Sequence, residues 1–585
     1  MGTSPAHIFE FGEFRLDGTT RVLTRRDGAA VPLTPKAFDT LVYMVGHAGR
    51  VLQKDELMRA VWPDTAVEEN NLNQSISMLR RVLGEERGEH RFIATVPGRG
   101  YQFVAKVRVS TDQARHRERA EDVSIAVLPF VNLDGTPHSE YFGDGLAEEL
   151  INALSKLERV RVVARTSAFS FKGRPVDVRD IADRLGVNHV LEGSVRKSGS
   201  RLRVTAQLVS AADGYHLWAE RYEREIEVRD IFDVQDEITL AVLDALQVKL
   251  AGGERSAVLK RHTHDPKALE LYLKGRFHLF RMTPAGIDAG MLYLQQAIQA
   301  DPSFALAQAG LAHAYRMFAL TLEMPPGEVL PKARAAAEKA IALDGSLAEA
   351  HAVLAFNIFW REWNWSASED HFQRALALNP NSADTRWMHA HLYSNTGRHE
   401  EALGEIAHAR ELDPLSGLIH AMEGQFLLHA GRTDAAVARL REALELDPSS
   451  RVAHLFSAST DIETARFADA VAEARSARAL SAGDTHAIAL EAYASARLGR
   501  VAESRAQLEE LLRLSKTRYV PPYHIAIVYD GLEESAEALT WLERGFAQRD
   551  PKMTFVGVEP RWKKLRRHPR FVRLLKQMNL VPVEG

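Results

Sequence analysis

The chain has no cysteine. This excludes a disulfide framework, thiolate metal sites and a cysteine nucleophile, and it fits a reducing compartment. No stretch approaches the roughly 18 consecutive apolar residues that a membrane-spanning helix needs. The N-terminal MGTSPAHIFEFGEF lacks the basic-then-apolar pattern of a secretory leader. Neither sign of charge dominates: 74 Lys and Arg stand against 78 Asp and Glu, a net of −4. Any surface for a polyanion must therefore be local. A cytoplasmic protein without membrane contact is the expectation.

With 585 residues, 45% hydrophobic and 26% charged, the chain is too long for one core, and three or four domains are expected. The first clear element is LTPKAFDTLVYMVGHAG, where Thr34 can cap a helix with Pro35 at its first position and Leu33 can staple to Phe38. Ahead of it, IFEFGEFRLD, RVLTR and AAVPL are short β candidates broken by DGTT and RDG turns. A second helix, KDELMRAVW, stops at Pro63.

The third helix, NNLNQSISMLRRVLG, has two faces. Leu72, Ile76, Leu79 and Leu83 are spaced for burial, whereas Asn70, Asn73, Gln74, Ser77 and Arg81 share another side, flanked by Met78 and Arg80. Asn and Gln can offer donor and acceptor to a base edge, and Arg can pair with phosphate or guanine. Two β-like runs then bracket Pro-Gly-Arg-Gly, placing Arg99 at a hairpin tip beside the helix. From Arg80 to Arg108 seven basic residues oppose Glu85, Glu86 and Glu89, a local balance of 7 − 3 = +4. That field has the sign double-stranded DNA requires.

Residues 8–105 resemble a winged helix-turn-helix domain of the OmpR/PhoB type, in the variety of ToxR/CadC-like regulators. The resemblance implies an N-terminal sheet, three helices and a hairpin wing, with the third helix in the major groove. It places Asn73, Gln74, Ser77 and Met78 at base-facing positions, and Trp62, Asn71, Arg80, Arg81, Thr95 and Tyr101 at positions that contact the DNA backbone, with Arg99 in the wing. Many members carry a base-reading Arg where this chain has Ser77 or Met78, so the bases read cannot be inherited. For Trp62 and Tyr101, closure of the core is the alternative role. No receiver domain is expected before this module and no membrane span after it.

Residues 123–250 read as an α/β unit. SIAVLPF and VRVVART are strands, GDGLAEELINALSKL and DVRDIADRLG are helices, and HVLEGSVRK, RLRVTAQLVS and YHLWAERY form a meander. Leu202, Val204, Ala206 and Leu208 alternate with polar residues, as in a half-buried strand. The stretch resembles the TolB N-terminal-like domain. GDGLAEEL lacks a Gly-Lys-Ser/Thr motif and reads as a plain helix start.

The last unit declares itself by period. Pro380, Pro414 and Pro448 are 34 apart, Ala375, Ala409, Ala443 and Ala477 run in step, and Gly397, Gly431 and Gly499 keep the phase with Ala465 in the gap. This resembles the tetratricopeptide repeat, and seven to nine helix pairs fit 267–550. RWKKLRRHPRFVRLLKQMNL is expected as a polar, basic end helix. His262/His264 and His389/His391 are two apart and read as surface residues, and Trp360, Trp363 and Trp365 as packing within a repeat. No catalytic constellation, cofactor or metal site is expected.

The resulting fold class is multidomain α+β and all-α. A winged helix-turn-helix at 1–108 and a linker at 109–122 precede the α/β domain at 123–250, a linker at 251–266 and a TPR-type α-solenoid at 267–585. The expected function is transcriptional regulation with a protein or ligand partner on the C-terminal modules. RNA polymerase contact and a homodimer on DNA are left open, and a scaffold protein is the alternative.

Overall fold

The computed structural model describes residues 7–12, 14–17, 22–25, 30–31, 33–62, 69–85, 91–96, 99–111, 123–134, 140–198, 201–225, 229–281, 283–321, 325–481 and 483–580. Two compact units form, 1–122 and 123–585.

In the first unit, β1 (His7–Phe11), β2 (Phe14–Asp17), β3 (Val22–Arg25) and β4 (Ala30–Val31) precede α1 (Pro35–Gly46). β5 (Val51–Gln53), α2 (Lys54–Val61) and α3 (Glu69–Val82) follow, and the hairpin β6 (Ile93–Val96) and β7 (Gly100–Phe103) leads to β8 (Arg108–Thr111). Thr34 caps α1 as expected, its Oγ1 accepting from the Ala37 amide at 3.4 Å. One sheet has the order β4-β3-β2-β1-β8 and the other β5-β7-β6. Two strands escape the sequence reading. β5 is three residues long, too short to show a period, and β8 falls in the segment expected as linker, yet it pairs with His7–Glu10 of β1. Pro63, Pro97 and Gly98 lie outside the described residues. Leu72, Ile76, Leu79 and Leu83 are all buried, with Leu41, Leu52, Leu57 and Phe103, as the spacing predicts.

The second unit opens with a six-stranded sheet: β9 (Val123–Val127), β10 (Val131–Asn132), β11 (Val160–Val162), β12 (His189–Ser198), β13 (Arg201–Ser210) and β14 (His216–Glu225). Its order is β11-β9-β12-β13-β14, with β10 on β12. β9 alternates between two cores, Ile125 and Val127 in one and Ala126 and Leu128 in the other. Helices thus cover both faces. The GDG stretch is not a helix start, because the helix runs Glu140–Leu154 and contains it. A Cβ on Gly143 would lie 2.6 Å from the Phe130 carbonyl oxygen, and one on Gly145 would lie 2.8 Å from Leu273 Cδ2. Close packing on both sides is what these two glycines permit.

Eight consecutive helix pairs follow among the described residues, from Pro266–Leu279 with Pro284–Ala300 to Pro522–Gly531 with Ser535–Ala547. The alanine ladder Ala375, Ala409, Ala443 and Ala477 is fully buried on the second helix of successive pairs. Gly397, Gly431 and Gly499 take left-handed φ of 81°, 74° and 80°, and Ala465 adopts the same turn at 58°. The 34-residue period is therefore a period of tight turns and close helix contacts.

Several expectations need correction. Residues 251–266 are no simple linker, since they hold a helix, Gly252–Val258, whose Val258 is buried in the α/β core. The α/β layer is docked on the solenoid: the Ala164 amide donates to the Leu412 carbonyl at 2.8 Å, Asn381 Nδ2 to Leu157 O at 2.9 Å, and Arg276 pairs with Glu148 at 2.8 Å. The C-terminal segment is not a polar end helix. Its helix, Pro569–Gln577, buries Phe571, Leu574 and Leu575 on one stripe, and Trp562 before it is fully buried. His389 and His391 are buried, not on the surface, with burial pushing their pKa values down to about 4 and about 3.

Trp363 packs across the solenoid, not within its repeat. A π-turn, Ile358–Glu362, ends at Trp363 with φ 56°. That left-handed backbone is costly for a bulky residue. It seats the indole against Phe546 at 5.2 Å with Arg549 over the ring at 4.5 Å, while Trp365 Nε1 donates to the Met578 carbonyl at 2.9 Å. The C-terminal segment thereby closes back onto the third helix pair.

Asp413 joins solenoid to α/β layer, its Oδ1 accepting from the Ser167 amide at 2.9 Å and from the Ser167 hydroxyl at 2.5 Å. Burial pushes its pKa up to about 7, against the bonds from Ser167. Folding therefore binds this proton more tightly than the unfolded chain does. The stability it contributes is complete below the unfolded value near 4 and is lost as pH rises through about 7. Asp413→Asn keeps an acceptor and removes the charge. It is expected to raise the melting temperature at pH 8 by roughly 1 °C, the shift about 1 kcal/mol gives in a unit as large as residues 123–585. Scanning fluorimetry at pH 5 should show little difference between the two proteins.

Candidate DNA interface

Burial of Leu72, Ile76, Leu79 and Leu83 fixes the rotation of α3. The same rotation turns Asn71, Asn73, Gln74, Ser77 and Arg81 to solvent, and Arg99 is exposed at the wing turn. These side chains come from one helix and one hairpin, and internal bonds hold the two together. Tyr101 Oη donates to Asn73 Oδ1 at 2.7 Å. Arg80 Nη2 donates to the Ile93 carbonyl at 3.0 Å and to Thr95 Oγ1 at 2.8 Å.

The expected site residues accordingly divide. Gln74, Ser77, Asn71, Arg81 and Arg99 make no side-chain hydrogen bond among the described residues, so their polar groups face water. Asn73 keeps its amide Nδ2 for an outside acceptor. Tyr101, 7% exposed, takes the core-closing alternative. Arg80 and Thr95 are bonded to each other. Trp62 is half-buried at the core margin, with Lys36 Nζ 5.7 Å from its ring centre. Met78 is also half-buried, its Sδ 3.7 Å from Thr34 Oγ1.

Glu85 enters the sequence reading only as one of three negative charges in the local balance, and its structural role is missed there. Its carboxylate accepts from the amides of Phe92 and Ile93, the latter at 2.9 Å, and lies 3.5 Å from Arg80 Nε. The Arg80–Glu85 pair is thus internal and cancels, tying wing to helix. Spacing along α3 gave no signal for it, because Glu85 follows the helix end. Arg87, Glu86 and Glu89 lie outside the described residues.

An exposed row of amide, hydroxyl and guanidinium groups beside a cationic hairpin tip is suited to donating and accepting at base edges and phosphates. No group of three or more His, Asp or Glu placed to hold a metal occurs among the described residues. No helix among them is long and apolar enough to cross a membrane.

Comparison with known proteins agrees with this geometry. Residues 28–103 match the family described as "Transcriptional regulatory protein, C terminal", and residues 121–240 match "HilA/YgeH-like transcriptional regulator, second domain". The latter falls on the α/β segment, for which the comparisons give a HilA/YgeH-like domain and show no TolB-like one. A Rhizobium meliloti (strain 1021) protein, named as a candidate adenylate cyclase, is 40% identical over 238 residues, 40% of each chain. The chain thus spans about two fifths of that relative. Transcriptional regulator HilA of Salmonella typhi is 26% identical over 408 residues, 69% of this chain and 70% of its own. Transcriptional activator CadC of Escherichia coli (strain K12) is 40% identical over 83 residues, 14% of this chain and 16% of its own. The solved DNA-binding domain of E. coli CadC aligns at 33% identity and TM-score 0.17, covering 19% of this chain and all of that one. A thermophilic TPR protein of Thermus thermophilus aligns at 18% identity and TM-score 0.29, covering 33% of this chain and 99% of that one. The chain is therefore similar to DNA-binding transcriptional regulators, with an OmpR/PhoB-type domain at residues 28–103 and a HilA/YgeH-like second domain at residues 121–240.

Proposed function

We propose that the chain is a cytoplasmic, sequence-specific transcriptional regulator. In it α3 reads the major groove, the wing holds the DNA backbone, and residues 123–585 receive a protein or ligand signal. The observation that carries this reading is the row Asn71, Asn73, Gln74, Ser77 and Arg81, exposed on α3 opposite a buried Leu/Ile stripe, with Arg99 exposed on the adjoining wing. RNA polymerase and a second copy of the chain are its candidate partners at a promoter. Genome-wide mapping of the DNA fragments that the full chain retains tests the reading. Retention without sequence preference would refute it.

Gln74 has both amide groups uncommitted, whereas Asn73 has its carbonyl engaged by Tyr101. Gln74 is therefore the better bidentate reader. Gln74→Ala is expected to cost about 1–3 kcal/mol at the cognate site and far less on random DNA. Arg99→Ala should weaken both alike and lower the salt slope, since a backbone contact carries little sequence information. Fluorescence anisotropy on matched cognate and scrambled duplexes separates the two outcomes.

A further inference from the structure

The second unit holds a cavity of about 330 Å³ lined by the solenoid and by Thr166 of the α/β layer, within the roughly 300–1,000 Å³ range of small-molecule sites. Phe356, Trp360 and Trp387 from the middle helix pairs and Phe555 from the C-terminal segment supply aromatic wall. Arg316 lines the same cavity and is 6% exposed. Its guanidinium lies 5.4 Å from the Phe356 ring centre and 5.9 Å from that of Trp387. Among the described residues it makes one hydrogen bond, from Nη2 to His313 Nδ1 at a long 3.4 Å, and Nε has no partner.

A buried cation without a counter-ion is costly, and burial lowers the pKa of this one while Asp384 and Glu349 oppose the shift. The guanidinium nonetheless stays charged. The other arginines of the wall are ion-paired, and its carboxylates accept hydrogen bonds or pair with a cation. Arg276 pairs with Glu148 and Glu349, and Arg451 with Asp484. Asp384 accepts from Trp387 Nε1 at 3.0 Å, Asp413 from Ser167, and Asp550 from the amides of Tyr523 and Lys552. Glu559 pairs with Arg561. Lys552 lines the same wall, its Nζ 5.7 Å from the Trp360 ring centre. Arg316 sits between two aromatic rings and has no carboxylate within ion-pair distance among the described residues.

We propose that this cavity binds a small aromatic carboxylate, with Arg316 pairing the carboxylate and Phe356, Trp360 and Trp387 packing on the ring. A guanidinium fork matches a carboxylate in a bidentate pair, and a planar apolar body fills the wall that such a pair leaves over. As an effector site this rests on the regulatory reading above. As a binding site it does not, so the test reads binding alone.

The full chain is titrated with 2-naphthoate and, separately, with its neutral counterpart 2-naphthamide, by calorimetry and tryptophan fluorescence. One naphthoate per chain is expected, bound about tenfold or more tighter than the amide, the margin that hydrogen bonds to a charged group confer. Arg316→Met should bring the two ligands to similar affinity. An amide that binds the wild-type chain as tightly as naphthoate, or no saturable naphthoate binding at millimolar concentration, overturns the proposal. The wild-type pair decides the matter even if Arg316→Met does not fold. DNA binding measured on the same sample shows separately whether the regulatory reading stands.

Discussion

A chain ending at Asp122 is expected to keep its affinity for a cognate operator and to lose regulated transcription from that promoter entirely. Residues 1–122 form a compact unit of their own, closed by β8 against β1. The wing and α3 are pinned by bonds inside that unit, Tyr101 to Asn73 and Arg80 to Thr95. The bonds that hold the reading surface together thus lie within the first unit, whereas the proposed signal enters through residues 123–585. The position of the cut matters. A chain ending at 266 would keep the α/β layer but strip its partner surface, leaving the Leu157 carbonyl without Asn381, Ser167 without Asp413 and Glu148 without Arg276. Such a protein should aggregate, and its phenotype would say nothing about signalling. Gel-shift affinity and reporter output of the 1–122 protein are the measurements. Normal regulation under every condition in which the full chain regulates would sink the division of labour.

What the sequence made legible was whatever has a short period or a strong local signature. The spacing of Leu72, Ile76, Leu79 and Leu83 set the rotation of α3, and with it which polar residues face outward. The 34-residue ladders named the solenoid because each turn and each close helix contact recurs at the same place. What stayed hidden depends on pairing between segments far apart in sequence. β5 and β8 are too short to show a pattern and exist because β7 and β1 offer them a ladder. Glu85 and Arg80 look like face charges until the wing strand lies beside them. The glycines of GDG resemble a phosphate turn only because sequence cannot show Phe130 and Leu273 against their Cα atoms. Closure of the solenoid, which buries Trp363, is of the same kind: nothing in the tryptophan-rich segment points to the distant C-terminal residues that cover it.

That closure yields the second large effect. Trp562→Ala is expected to destabilise the second unit by about 3–5 kcal/mol, the usual cost of removing a buried large aromatic. Trp562 is fully buried, meets the Tyr523 ring edge-on at 5.6 Å, and donates from Nε1 to Tyr523 Oη at 2.7 Å. Tyr523 Oη in turn donates to Glu559 at 2.8 Å, and Glu559 pairs with the buried Arg561. Alanine leaves a cavity and breaks this chain at its first bond, so a buried acceptor loses its donor as well. The loss should not stay local. Trp363 belongs to the same hydrophobic cluster as Trp562, and Trp365 is bonded to Met578 just beyond it. Amide hydrogen exchange should therefore rise in residues 551–580 and also in residues 358–365, far earlier in the chain, while α3 and the wing exchange as before and DNA affinity is unchanged. Without closure the cavity beside Arg316 loses its Phe555 wall, and naphthoate affinity should fall with it. Faster exchange confined to residues 551–580 would show that the C-terminal segment merely rests on the last helix pair, and that the π-turn at Ile358–Glu362 holds its shape without it.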